Sequence, residues 1–110
     1  MTLQGFVPGI PQTERVILTT TGATVLLEAG ENGNFVHTVF VAETTGNNTT
    51  VIIDAFDGTT AYKITGAYPI TASLGIAIEI NQRLEPGWFI RATASAANRL
   101  HTHLTHSLPT

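Results

Sequence analysis

LEPGWFIRATAS, residues 84–95, is the stretch on which the fold turns. Pro86 presets φ for the second position of a β-turn, and Gly87 accepts the positive φ that the third position of a type II turn demands. Ahead of the turn, Ile76, Ile78 and Ile80 alternate with Ala77, Glu79 and Asn81; behind it, Trp88, Ile90, Ala92 and Ala94 alternate with Phe89, Arg91, Thr93 and Ser95. A period of two on both sides predicts two strands, each with one apolar face. Read locally, they form an adjacent antiparallel hairpin.

The same signals recur outward in both directions. Residues 49–56 alternate and run into Asp57-Gly58, which predicts pairing with residues 59–65 across a two-residue primed turn. Residues 35–43 are apolar on both faces, as in a strand inside a sheet. Val39 and Val41 share one face with Phe35 and His37, and Val36, Phe40 and Ala42 share the other with Thr38. Residues 14–20 and 23–29 flank Thr21-Gly22 as one hairpin or one kinked strand, residues 31–34 make a turn, and residues 66–73 read as a connection. Residues 99–107 are the last strand. No 3.6-residue apolar stripe persists, so the expected class is all-β: an antiparallel β-sandwich of about eight strands, jelly-roll or immunoglobulin-like.

That sandwich is expected to occupy residues 14–110 as a single domain. Residues 1–13 form an extended N-terminal arm, in which Gly5, Pro8, Gly9 and Pro11 block regular structure. Its Leu3, Phe6, Val7 and Ile10 supply apolar side chains for burial on the chain's own domain or on a neighbouring subunit.

Composition narrows the function classes. With 110 residues the chain can bury roughly two-thirds of its unfolded surface, enough for an ordinary core. The absence of cysteine excludes disulfides, thiolate metal sites and Cys nucleophiles. Charged residues are 12% and net charge is -3. Lys63 is the sole lysine, with Arg15, Arg83, Arg91 and Arg99 scattered singly, so no cation cluster is available for nucleic acid. Neither a membrane span nor a Sec-type leader is expected. A sparsely charged surface rich in Thr, Ala and Asn suits a protein that lies against other subunits.

Histidine is the residue type with most chemical potential. His101 and His103 should project to one face about 7 Å apart, a spacing at which two imidazoles can share a metal, with His106 on the opposite face. They are weak metal candidates. The pair invites comparison with cupins, but no carboxylate follows it in residues 104–110, so the cupin pattern fails. Glu28, Glu31, Glu43, Asp54, Asp57, Glu79 and Glu85 form no pair whose sequence context fixes a glycosidase separation, and Ser73, Ser95 and Ser107 lack nucleophile-elbow glycines. No enzyme and no cofactor is expected. Trp88, Tyr62 and Tyr68 are candidate platforms for a sugar.

The run of pieces VLLEAG (25–30), HTVFVAETTG (37–46), Asp57-Gly58, the aliphatic strand at 76–80, LEPGWFIRATASAAN (84–98) and the strand at 100–107 resembles small β-sandwich virion structural proteins of tailed bacteriophages. Those are head decoration or cement proteins, or fibre-associated modules. The resemblance implies a non-enzymatic virion protein, made in the host cytoplasm, whose partners are the major capsid protein or other virion proteins. It would act as a trimer or another symmetric homo-oligomer, with Leu3, Phe6, Val7, Ile10, Trp88, His101 and His103 at its interfaces. A tail or fibre module, or a glycan-binding β-sandwich, is the alternative. Trp88 departs from the pattern, since a polar residue commonly follows the Pro-Gly.

Overall fold

The computed structural model describes residues 10–108. Leu3, Phe6 and Val7 of the expected arm lie outside the described residues. Among these there are nine strands: β1 (Gln12–Leu18), β2 (Thr24–Glu28), β3 (Asn34–Glu43), β4 (Thr49–Phe56), β5 (Ala61–Lys63), β6 (Tyr68–Ile70), β7 (Gly75–Leu84), β8 (Phe89–Ala94) and β9 (Leu100–Ser107). The first begins at Gln12, inside the span expected to be arm, and β6 is a short strand where a connection was expected.

The pairing is nested. β1 pairs with β9, β2 with β8, β3 with β7, and β4 with both β5 and β6, all antiparallel. The chain is therefore one long hairpin bent at β5 and β6. Further pairing of β3 with β9 and β4 with β8 rolls it into two sheets, β1-β9-β3-β7 and β2-β8-β4-β5. This is jelly-roll connectivity, and it decides between the two expected sandwich topologies.

It also corrects the hairpin. The type II turn is present: Trp88 N–H donates to Glu85 O at 3.0 Å, with Gly87 at φ 76° between them. The strands on either side, however, belong to different sheets, β7 pairing with β3 and β8 with β2 and β4. The turn carries the chain across the core rather than back along it. Period-two alternation is blind to this choice, because a strand presents the same apolar face inward whether its successor lies beside it or opposite it. The same holds at Thr21-Gly22, where β1 and β2 lie in different sheets.

The core lies between the sheets. Leu18, Val36, Val39, Val41, Leu100 and Leu104 come from the β9 sheet and meet Val51, Ile53, Ile90 and Ala92 of the β8 sheet, all essentially inaccessible. Each large aliphatic side chain so buried contributes about 1.5–3 kcal/mol. Val36 shares this face with Val39 and Val41, contrary to the expected alternation. A β-bulge between Val36 and Thr38 inserts His37 as an extra residue and reverses the parity of everything before it.

The Asp57-Gly58 hairpin forms, with β4 pairing β5 through Phe56↔Ala61, but its centre is shifted by one residue. Asp57 N–H donates to Thr60 O at 3.2 Å, which places Gly58, at φ 102°, and Thr59 at the centre. Asp57 Oδ1 accepts from the backbone N–H groups of Thr59 and Thr60. Those bonds hold the Asp57 carboxyl below its ordinary range.

Candidate functional site

The outward face of the β9 sheet follows from the alternation of its strands. Leu100, Thr102 and Leu104 point to the core, so His101, His103 and Thr105 point away from it, and His106 is buried on the core side as expected. Register brings Ile17 and Ala42 to either side of His101, and Arg15 and Phe40 to either side of His103. The Phe40 ring meets His103 edge-on at 6.1 Å between centroids. It also lies over Gly75, where a Cβ would come within 2.5 Å of the ring. Glycine at that register position is what lets the aromatic lie flat across the strand beyond it. Ile17 is 51% exposed and Phe40 41%, and a groove of about 290 Å³ runs past Arg15, Ile17, His101 and His103.

His101 and His103 thus share a face, but no group of three or more metal-donating side chains occurs among the described residues. Ile10, next to β1, is 84% exposed. Ile17 and Phe40 were not singled out from the sequence; the alternation set Phe40 opposite Val39 and Val41, but the bulge at His37 made Val36 read as its neighbour on that face, so both faces looked apolar.

Glu43, Asp54 and Glu14 are held by structural partners. Glu43 is 3% exposed and accepts hydrogen bonds from the Thr45 hydroxyl and from the backbone N–H groups of Thr45, Gly46, Asn47 and Ser73. Burial pushes its pKa up, but the bonds from Thr45, Ser73 and Asn47 outweigh that and lower it to about 2. Asp54 pairs with Arg91 at 2.9 Å, and that guanidinium lies 3.8 Å over the Phe56 ring. Glu14 accepts from His106 Nε2 at 3.1 Å. Carboxylates so committed anchor loops and strands, and are poorly placed to move protons for a substrate.

Trp88 is partly buried against the core and stacks on Tyr62, with centroids 5.6 Å apart and an interplanar angle of 11°. The pair forms one wall of a cleft of about 330 Å³ on the open side of the sandwich, between the β5 and β7 edges. Val36, Leu84 and Ile90 form its floor, and Lys63, Gln82, Arg83 and Glu85 its rim. Tyr68 is on β6, packed against the core, and does not line it.

No protein-family model matches the chain, and no curated protein matches it in sequence. Solved structures do match in fold. A chain of the acid-stable capsid of Helicobacter pylori bacteriophage KHP30 is 12% identical with a TM-score of 0.65, over 96% of this chain and 94% of that one. A chain of the Bacillus endospore appendages, a family of disulfide-linked pili, is 8% identical with a TM-score of 0.60, over 99% and 98%. At these identities the likeness is one of fold, extending over nearly the whole of each chain.

Proposed function

We propose that this chain is a non-enzymatic structural protein of a phage virion, a decoration or cement protein that stabilises the head by binding adjoining shell subunits. The observation that carries this reading is the outward face of the β9 sheet, where, among the described residues, Ile17 and Phe40 stay exposed beside His101, His103 and Arg15 and form a sparsely charged surface suited to lie against the major capsid protein. The chain acts there as a homo-oligomer, a trimer or another symmetric state, so that weak contacts sum over several copies. The arm, through Leu3, Phe6, Val7 and Ile10, clasps a neighbouring subunit.

The KHP30 capsid chain and the Bacillus appendage chain share the fold to a similar extent, and one point favours a virion over a pilus. The Bacillus appendages are disulfide-linked pili, and the 110 residues here hold no cysteine with which to make such links. Immunogold electron microscopy of purified particles tests the proposal. Label distributed over the heads is the expected result; label confined to tails or fibres, or particles without label, would overturn it.

A further inference from the structure

The cleft between the β5 and β7 edges plays no part in the proposed shell contact, which uses the outward face of the β9 sheet. Its aromatic wall is only partly a core element: Trp88 packs against the core, and Tyr62 stands clear of it. β5 exposes all three of its side chains, so Tyr62 is held on the surface, 52% exposed, and its near-parallel stack on Trp88 gives the wall a fixed orientation. Trp88 in turn is fixed by the Glu85-to-Trp88 turn bond and by its own carbonyl, which accepts from Ala29 N–H at 2.8 Å. A rigid, partly wet aromatic surface beside an apolar floor is suited to a ligand that carries a C–H face and a hydroxyl edge on the same ring.

The rim supplies partners for such an edge. Arg83 Nη1 and Glu85 Oε2 are 2.7 Å apart and both side chains are about half exposed, at 50% and 51%. Arg83 Nη2 also donates to Asn32 O at 3.3 Å, which fixes the guanidinium at the rim. The N–H groups and carboxylate oxygen left over present donors and an acceptor side by side, the pattern that a pair of vicinal hydroxyls can match with one accepting and one donating oxygen. Gln82 adds an amide and Lys63 an ammonium at the same mouth. A volume of about 330 Å³ admits a sugar ring and falls at the small end of the range for ligand sites.

We infer that this cleft is a saccharide-binding site, with Tyr62 and Trp88 as the platform for a pyranose face and Arg83 and Glu85 as the hydroxyl-reading pair. Such a site would give a particle-bound protein a second function, adhesion to glycan-coated surfaces.

A glycan microarray probed with the purified full chain, followed by titration calorimetry on the saccharides retained, tests this. The expected result is a restricted set of bound saccharides, with affinity falling about tenfold or more in Tyr62→Ala and in Arg83→Ala. Both substitutions remove exposed side chains, so their melting temperatures should stay close to that of the parent protein. Trp88→Ala is expected to lose binding too, but the test does not depend on it, since Trp88 also packs on the core. A silent array, or saccharide binding indifferent to both Tyr62→Ala and Arg83→Ala, would overturn the inference.

Discussion

Two buried polar side chains show how single residues set the limits of this fold. Glu43 has a carboxyl pKa of about 2 against an ordinary 4.5, so its ionised form is favoured by folding. The stabilisation it provides is full above about pH 4.5 and is lost as pH falls from there through about 2. Glu43→Gln should melt below the parent protein at neutral pH, and the gap should close progressively across that acid window. Parallel melting curves at every pH would contradict this. Asn34 is 3% exposed, and its Oδ1 accepts from Gly30 N–H at 2.9 Å, which leaves Nδ2 to donate to His106 Nδ1 at 3.0 Å. The His106 ring proton therefore sits on Nε2, facing Glu14, and the relay ties β3, β9 and the edge strand β1 together. His106→Ala strands the Asn34 amide without its acceptor and opens space beside it. Urea denaturation should show a loss of about 1–3 kcal/mol.

Turns and strands were largely legible as elements; of their pairings, the β4–β5 hairpin at Asp57-Gly58 was legible and the long-range ones were not. The type II turn at Pro86-Gly87, the strand Thr49–Phe56 and the final strand follow from local chemistry, a proline, a glycine and strict alternation. Nothing local states that β7 and β8 face each other across the core, or that β1 lies beside β9, because those choices depend on how the whole chain rolls. The bulge at His37 was equally hidden, and with it the inward position of Val36. Of the contact residues chosen from the sequence, His101 and His103 share the outward face as alternation implies, whereas the stacking of Trp88 on Tyr62 needed the fold. Turn glycines can be ranked by what surrounds them. Gly33 and Gly87 have φ of 77° and 76°, but a Cβ at Gly33 would lie 2.8 Å from Leu84 O, whereas at Gly87 it would meet nothing within 4 Å. Gly87→Ala should cost about 1 kcal/mol from backbone strain alone, and Gly33→Ala clearly more. Equal losses by chemical denaturation would show that crowding at Gly33 is relieved at no expense.

At the scale of the molecule, the jelly roll buries one apolar face of each sheet and turns the opposite faces outward. The β9 sheet turns Ile17, Phe40, His101 and His103 outward, and the open side between β5 and β7 holds the aromatic cleft. The two surfaces make separable claims, since Tyr62 and Arg83 lie apart from the face assigned to the shell. Co-sedimentation of the purified chain with virus particles lacking it, comparing the parent protein with Ile17→Glu and Phe40→Glu, tests the central claim most directly. Both substitutions place a charge on an exposed position and should leave the fold intact. The account predicts that the parent protein pellets with the particles and that each variant remains largely in the supernatant; variants that pellet as fully as the parent would contradict it.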